Sequence, residues 1–368
     1  MLFKLGGQPV PLLGRARIYV CGITPYDTTH LGHAFTFLWV DLVAGLLDHV
    51  GVEAVVCRNV TDVDDSLLAE ARRRGVPWQM LANQQTYQFE DDMRKLRVRR
   101  PSFEPLSRDY VVPVIFLARA LLDRGAAYER EGAVYFRGRA ALERAQAAGL
   151  DEAAAAALHA AGHGRPDDPH KADPFDVAVW QPSLPDEPFW SSPWGDGRPG
   201  WHAECAAMAT TILGLALDVH AGGEDLAFPH HAYEAAMAEA ATGVTPFARS
   251  WMHLGAVRLH GEKMAKSTGN LVFVMDLLQT WRPEVLRLAL LLQPWRDSWE
   301  FTPALLDAAG ERLEQLWSAA GGPGESEPAE REVVRRLLED QDVPGALDVA
   351  VAAGGAPARL AGQLLRVL

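Results

Sequence analysis

Residues 17–34 read RIYVCGITPYDTTHLGHA, and the order of strand and helix signals in them decides the fold. The opening RIYVCG is a short β-rich run that ends at Gly22, which is typical of a buried parallel strand. Apolar residues at helical spacing follow over residues 28–50, and residues 52–59 and 66–74 repeat this order as a second strand and helix. The alternation predicts an α/β fold with a doubly wound parallel sheet.

The remaining chain is predicted to extend this core. Residues 219–220 and 252–257 have the pattern of later strands, residues 76–160 are mostly helical, and residues 163–200, rich in Pro, Asp, Gly and Trp, are predicted to form a loop. We therefore predict three regions: a catalytic domain over residues 1–275 with a mainly helical insertion around 76–200, a helical stem-type module over 276–320, and a linker with short C-terminal helices over 321–368.

Composition narrows the function classes. Over 368 residues the formal net charge is −13, which disfavours broad binding to a nucleic-acid backbone. The chain has only three cysteines, and a small, odd number does not form a disulfide framework. This cysteine content fits a reducing compartment. Residues 1–17 lack the apolar stretch of a signal peptide, and residues 111–122 are too short for a membrane span. We expect a cytoplasmic protein without a membrane partner.

Two short motifs predict a polyphosphate site. His30-Leu31-Gly32-His33 begins a helix, where free backbone N–H groups and two imidazoles can donate hydrogen bonds to phosphate oxygens. The KMAKS segment at 263–267 supplies Lys263 and Lys266, which can neutralise the charge that develops on a leaving pyrophosphate. In Gly223-Glu224-Asp225, a carboxylate after a predicted strand can accept hydrogen bonds from ribose hydroxyls.

Thiols and an imidazole predict a metal site. Cys21 ends the first strand, Cys205 lies in GWHAEC, and His230 and Glu234 follow a Phe-Pro pair. Thiolate and imidazole are the ligands that zinc prefers in tetrahedral geometry. A zinc ion with an open position would bind the thiolate of a cysteine substrate and discriminate against serine, so no editing domain is needed. Trp201 is a candidate wall of the substrate pocket.

Each signal taken alone has a structural alternative. The histidines can cap a helix, KMAKS can be a solvated surface segment, and the glycines at 222–223 can form an ordinary turn. Cys21 can be a small apolar residue, and Trp201 can belong to the core. We interpret the acidic residues at 62, 64 and 65 as a solvated, strand-ending turn that shapes the pocket.

Together the motifs resemble the cysteinyl-tRNA synthetase superfamily. The resemblance rests on YVCGITPYDTTHLGHA, RNVTDVDD, GRPGWHAECAAM, HAGGEDLAFPHH and KMAKSTGNLV, and it covers roughly residues 17–317. Within the superfamily, GITPYDTTHLGHA and the segment after KMAKS most resemble the mycothiol-pathway ligases. The resemblance implies a class I synthetase-type Rossmann nucleotidyl-transferase domain with a C-terminal helical module.

The resemblance also implies roles for individual residues. Zinc would be bound by Cys21, Cys205 and His230, with Glu234 as a possible fourth ligand. The adenylation transition state would be stabilised by His30, His33, Lys263 and Lys266. The cysteinyl-adenylate would be surrounded by Cys21, Gly22, Ile23, Thr24, Thr36, Asn59, Val60, Thr61, Trp201, Gly223, Glu224, Asp225 and Val257.

These roles imply an AMP-forming cysteine ligase that uses ATP with Mg²⁺ as co-substrate and joins cysteine to the amine of glucosaminyl-inositol in mycothiol biosynthesis. Three positions depart from the family pattern: Ala232 replaces a usual glutamate after the paired histidines, KMAKS replaces KMSKS, and residues 161–174 lack an ERGGDP-like motif. Three alternatives stay open: a paralogue that gives cysteine to another small amine or a carrier protein, a truncated cysteinyl-tRNA synthetase acting on tRNA, and a non-catalytic binding protein.

Overall fold

A computed structural model describes residues 2–27, 29–265 and 269–368. The strands, in chain order, are β1 (Lys4–Leu5), β2 (Gln8–Pro9), β3 (Arg15–Ile23), β4 (Glu53–Val60), β5 (Ala127–Arg130), β6 (Ala133–Phe136), β7 (Val177–Pro182), β8 (Trp190–Ser192), β9 (Gly195–Pro199), β10 (Val219–Gly223), β11 (Trp251–Leu254), β12 (Val257–Leu259), β13 (Glu262–Lys263) and β14 (Trp299–Glu300). The helices are α1 (Leu31–His49), α2 (Asp65–Arg74), α3 (Trp78–Lys95), α4 (Val111–Asp123), α5 (Arg139–Ala147), α6 (Glu152–Ala161), α7 (Trp201–Leu213), α8 (Ala232–Thr242), α9 (Val274–Leu277), α10 (Pro283–Leu291), α11 (Ala304–Gly321), α12 (Glu327–Arg335), α13 (Val343–Ala353) and α14 (Gly355–Leu365).

A parallel four-stranded sheet in the order β11-β10-β3-β4 forms the centre of the fold, which confirms the predicted fold class. The β-branched side chains of Ile18, Val20 and Ile23 on β3 are buried between helices, as expected for a parallel sheet covered on both faces. The register of β3 against β4 shifts between Val20 and Ile23. Such irregularities bend a strand locally, and this one falls at Cys21 and Gly22.

Helix α1 lies in the core, because apolar residues surround it on almost every side. In the part of the chain that the structure describes, it is the helix with the length and composition to cross a membrane. However, 83% of its apolar window is buried. Burial against the sheet therefore accounts for its apolar character.

The predicted insertion contains more than helices. It includes α3 to α6, but also a five-stranded antiparallel sheet in the order β5-β6-β7-β9-β8. Residues 163–200, predicted as a loop, supply β7, β8 and β9, so that prediction is wrong for this segment. Gly197 allows the strands to approach closely, because a Cβ there would lie 2.4 Å from the carbonyl oxygen of Gln181 and 2.7 Å from the Trp180 ring. Tertiary pairing overrides the local turn composition there.

The acidic turn after β4 is also different from the prediction of a solvated segment. Asp62 is 1% exposed and pairs with the Arg108 guanidinium at 3.0 Å. Asp64 caps α2, where its Oδ1 accepts from Ser66 N at 2.8 Å. The turn is therefore held by specific contacts and stabilises the start of α2.

The C-terminal helices share one hydrophobic core with α1 and the parallel sheet. Residues 322–326 alone separate α11 from α12, so the predicted linker is short. The buried Arg287 of α10 donates to Leu365 O at 2.6 Å and Leu96 O at 2.9 Å, and it pairs with Asp41 of α1 at 2.6 Å. The predicted domain boundaries at residues 275 and 320 stay predictions.

Candidate active site

A cleft opens at the carboxyl ends of β3, β4, β10 and β11, where open α/β sheets bind ligands. Its cavity volume is about 320 Å³. The predicted site residues that line it are Cys21, Gly22, Thr24, His30, His33, Thr36, Asn59, Thr61, Trp201, Cys205, Gly223, Asp225, His230, Val257 and Lys263. Lining residues outside the predicted set are Tyr26, Phe37, Leu226, Leu254, Gly255, Ala256, Met264 and Ala265.

Four predicted residues have other positions or cannot be placed. Ile23 and Val60 are each 1% exposed and lie in the core, because neighbouring strand residues face opposite sides of a sheet. Glu224 turns toward Ser298, whose hydroxyl donates to its Oε1 at 2.7 Å, and its adenylate contact stays a prediction. Lys266 lies outside the described residues.

His30 and His33 meet at the start of α1. His30 is the N-cap residue, and its Nδ1 accepts from Gly32 N at 3.1 Å. In a neutral imidazole this contact puts the proton on Nε2. The two rings stack with centroids 3.7 Å apart. A Cβ on Gly32 would lie 2.9 Å from the His30 ring, so glycine permits this arrangement. Two imidazoles thus lie beside the N-terminal end of the α1 dipole.

Gly22 and Asn59 join β3 and β4 at the floor of the cleft. The Gly22 N–H donates to Asn59 Oδ1 at 2.9 Å, and Asn59 Nδ2 donates to Thr61 Oγ1 at 2.9 Å. A Cβ on Gly22 would lie only 1.6 Å from the Asn59 carbonyl oxygen. A side chain at this position is therefore incompatible with the approach of the strands.

Lys263 of the KMAKS segment faces Asp225, which follows the end of β10. Lys263 Nζ lies 2.8 Å from Asp225 Oδ2, and both side chains are about half exposed. Asn270 joins the two sides of the segment, because its Oδ1 accepts from Ala265 N at 2.9 Å and its Nδ2 donates to Lys263 O at 3.1 Å. A cation is thus held at the opening of the cleft, where a polyphosphate would compete with Asp225 for it.

A buried cluster of Cys21, Cys205, His230 and Glu234 lies at the inner end of the cleft. One donor atom from each lies within 4.8 Å of the others, so the four could hold a metal ion. Glu234 Oε1 accepts from Cys21 Sγ at 3.3 Å and lies 2.8 Å from His230 Nε2. The sequence thus anticipated all four members, although they come from three separate segments.

The electrostatics of this cluster separate its two thiols. A hydrogen bond with Cys21 lowers the pKa of Cys205 to about 6. Burial raises the pKa of Cys21 well above its ordinary value. Burial opposes charge on His230, but Glu234 and Cys205 raise its pKa to about 10. These shifts favour negative charge on Cys205 beside Glu234 and His230, and thiolate and carboxylate donors together favour a bound cation.

A layer of further histidines, which the sequence motifs did not predict, surrounds the cluster. His202 Nδ1 lies 2.8 Å from His230 Nδ1, and His220 Nε2 lies 2.9 Å from Glu234 Oε2. His231 Nδ1 lies 2.9 Å from His253 Nε2. Such contacts orient metal-binding imidazoles and carboxylates. Cys21, His220, His231 and Glu234 form a second possible ligand group. The available signal covered only His220 and His253, which lie in predicted strands.

Trp201 forms a wall of the cleft beside the cluster. It is the first residue of α7, and its ring stacks on His230 with centroids 4.1 Å apart and planes 20° apart. Stacking therefore restricts the indole and the imidazole together.

Residues 11–311 match the family model described as tRNA synthetases class I (C) catalytic domain. A protein of Acidothermus cellulolyticus named L-cysteine:1D-myo-inositol 2-amino-2-deoxy-alpha-D-glucopyranoside ligase is 47% identical, over 90% of this chain and 83% of the relative. A protein of the same name from a Parafrankia species is 46% identical, over 97% and 81%.

Among solved structures, methionyl-tRNA synthetase of Mycobacterium tuberculosis in complex with methionyl-adenylate is similar. Its TM-score is 0.64, and the match covers 96% of this chain and 82% of that one. At 17% sequence identity, this likeness concerns the fold alone.

Proposed function

The chain belongs to the family of class I (C) tRNA synthetase catalytic domains, and from that premise we propose that it is an ATP-dependent ligase that joins cysteine to the amine of glucosaminyl-inositol. One observation carries this proposal: Cys21, Cys205 and His230 line the same cleft as His30, His33 and Lys263. A sulfur-binding cluster and a polyphosphate-binding set thus flank one cavity. The proposed setting is the cytoplasm, with ATP and Mg²⁺ as co-substrate.

We infer that zinc is the ion of the buried cluster. Tetrahedral bonds of about 2.0–2.3 Å to nitrogen and sulfur bring neighbouring donors roughly 3.5 Å apart, which agrees with the grouping of these four side chains. Cys21, Cys205 and His230 would hold the ion, with Glu234 as a fourth donor. When bound, zinc lowers the pKa of a coordinated thiol and favours sulfur over a hydroxyl oxygen.

In the first half-reaction, the cysteine carboxylate oxygen attacks the α-phosphorus of ATP, and the bond to pyrophosphate breaks. Two imidazoles at the α1 N-terminus, His30 and His33, donate to the phosphate oxygens as charge shifts onto them. Lys263 leaves its pair with Asp225 to neutralise the pyrophosphate, and we assign the same role to Lys266. Contacts of this type each contribute about 10²–10³ in rate.

In the second half-reaction, the amine nitrogen attacks the carbonyl carbon of the adenylate. The new C–N bond forms as the C–O bond to AMP breaks, and AMP leaves with the electron pair while the amine loses a proton. Asp225 and the two histidines are the candidate proton acceptors in the cleft. Trp201 forms a wall of the cleft that restricts water from the anhydride.

Two assays test the proposal in sequence. Cysteine-dependent exchange of labelled pyrophosphate into ATP should occur without any acceptor, because activation precedes transfer. Adding glucosaminyl-inositol should then produce a cysteinyl amide that mass spectrometry identifies, with no charging of tRNA. Exchange without this amide would favour another small amine as acceptor, and the absence of exchange would contradict the proposed activation.

A further inference from the structure

A second cavity of about 180 Å³ adjoins the active-site cleft. We call it the Trp201 side cavity and define it by Asp65, Arg165, Asp168, Lys171, Gln181 and Trp201. Trp201 lines this cavity and also the cleft, so the indole is a wall common to both. A ligand in the side cavity would therefore lie next to the place where cysteinyl-adenylate forms.

The loop that borders the side cavity is held in an unusual conformation. His163 and Arg165 have φ values of 66° and 47°, although neither is glycine. The Gly164 N–H donates to His159 O at 2.8 Å, and Lys171 Nζ donates to Gly164 O. Non-glycine residues adopt left-handed backbone conformations only where their surroundings impose them, and such positions concentrate at ligand sites. The loop is thus a fixed border of the cavity.

Gly164 itself permits the loop to pack closely. A Cβ there would lie 2.3 Å from the His159 ring. His159 is 1% exposed, and its Nε2 lies 3.0 Å from Pro174 O. The buried His159 side chain therefore packs against the loop, and the loop residues His163 and Arg165 line the cavity.

The polar side chains of the side cavity are balanced in charge. Asp65 Oδ2 accepts from Arg165 at 2.6 Å, and Asp168 Oδ2 accepts from the Tyr135 hydroxyl at 3.0 Å. Lys171 balances the charge of Asp168. Asp65 also pairs with Arg198 at 2.5 Å, and Asp168 Oδ1 accepts from His170 N at 2.9 Å, so each carboxylate oxygen has one partner and keeps a second lone pair for a hydroxyl donor. Gln181, whose side chain is an amide, also lines the cavity.

This lining favours a neutral, hydroxyl-rich ligand. A nucleic-acid end would require an excess of cations over anions, because phosphate contacts dominate such binding. A ring with many hydroxyls instead requires fixed donors and acceptors without a net charge, beside an aromatic surface. The side cavity offers both features.

We propose that the Trp201 side cavity is the acceptor subsite, which binds the hydroxyls of a polyol ring while the amine of the same molecule passes Trp201 to reach the adenylate carbonyl. The proposal rests on the function proposed above and assigns the cyclitol ring of glucosaminyl-inositol to this cavity. Asp168 and Gln181 are the specificity-determining residues, and neither is needed for activation of cysteine.

Two substitutions test the subsite in the full chain. Asp168→Asn keeps an oxygen for the Tyr135 hydroxyl but removes the charge, and Gln181→Leu removes the amide at similar size. Losing a hydrogen bond to a buried ligand hydroxyl should raise the KM for glucosaminyl-inositol about tenfold. Cysteine-dependent pyrophosphate exchange should stay at the level of the unsubstituted protein, which also shows that the variants fold.

A truncated acceptor and a matched variant serve as controls. Glucosamine lacks the cyclitol ring, so its KM should be the same in all variants. Asp196 is an exposed aspartate of the same antiparallel sheet, and Asp196→Asn should change neither exchange nor acceptor KM.

Each remaining outcome contradicts a different statement. An unchanged KM for glucosaminyl-inositol in both Asp168→Asn and Gln181→Leu would overturn the subsite while the proposed function stands. Exchange without amide formation by the unsubstituted protein would overturn the acceptor and the subsite together. Loss of exchange in the unsubstituted protein would refute the proposed activation itself.

Discussion

At the residue scale, Gly22 determines how closely β3 and β4 approach beside the cluster cysteine. Gly22→Ala would bring its Cβ to 1.6 Å from the Asn59 carbonyl oxygen, so the strands must separate. We expect a melting temperature lowered by several degrees and loss of cysteine-dependent pyrophosphate exchange. Differential scanning fluorimetry and the exchange assay measure the two effects.

The matched control is Gly310→Ala in α11. A Cβ there meets no atom within 4 Å, so alanine should stabilise the helix by roughly 0.5–1 kcal/mol and leave exchange unchanged. Full exchange activity in Gly22→Ala would show that the close approach of the strands is not required.

A second residue-scale prediction concerns the pH dependence of stability through His159. Burial lowers its pKa to about 4, and the charge of Lys171 acts in the same direction. An unfolded histidine has a pKa of about 6.5, so only the unfolded chain binds this proton between pH 6.5 and 4. The free energy of unfolding should therefore fall as pH decreases through this range, by up to roughly 3 kcal/mol from this group.

His159→Gln removes this titration and keeps a polar side chain near Pro174 O. Urea denaturation at pH 7 and pH 5 should give a smaller difference in unfolding free energy for the variant than for the unsubstituted protein. Equal differences in the two proteins would show that His159 does not contribute.

At the scale of the element, helix α1 depends on His30 in two ways. His30 caps the helix through Gly32 N, and we assign its other nitrogen to phosphate binding. Asparagine can also cap a helix, whereas alanine costs about 1 kcal/mol at this position. His30→Asn should therefore have an unchanged melting temperature but no cysteine-dependent pyrophosphate exchange. His30→Ala should have a lower melting temperature and also no exchange. Equal activity in His30→Asn would exclude a catalytic role.

Strands and helices with strong periodicity could be predicted from sequence. Strand β3 and helix α1 have buried β-branched and apolar runs, and their predicted ranges agree closely with the structure. Strands β7 to β9 could not, because Gly197 is required by its close contacts with Gln181 and Trp180 on the paired strand. Local composition does not contain that information.

The same distinction applies to the site. Motifs contiguous in sequence, such as HLGH, predicted cleft residues that the structure brings together. The surrounding histidines 202, 220, 231 and 253 were missed because single histidines have no spacing rule, and only the convergence of β10, β11, α7 and α8 makes them neighbours. Ile23 and Val60 lie in the core, because motif membership says nothing about which face of the sheet a side chain takes, and their contact with the adenylate stays a prediction.

At the scale of the whole molecule, one buried arginine joins regions that are distant in sequence. Arg287 links α10 to α1 through Asp41 and to the C-terminal helices through Leu365 O. Arg287→Met leaves Asp41 buried with one remaining cation, Arg99, whose guanidinium is 3.3 Å away. Removing one partner of a buried pair costs about 3–5 kcal/mol, so the free energy of unfolding measured by urea denaturation should fall by that amount.

The control for this prediction is Arg312→Met, which breaks a pair with Asp348 at the surface. Surface pairs contribute about 0–1 kcal/mol, so this variant should be nearly as stable as the unsubstituted protein. Equal effects of the two substitutions would mean that the C-terminal helices are not joined to the core through Arg287.

The most direct test measures bound zinc and cysteine activation in the same preparations, because selection of cysteine is assigned to the buried cluster. We predict about one zinc per chain and cysteine-dependent exchange in the unsubstituted protein, and loss of both in Cys205→Ala. Cys57 is fully buried on β4 outside the cluster, so Cys57→Ala should keep both. Activation of cysteine at full rate in Cys205→Ala, or in protein free of metal, would contradict the account.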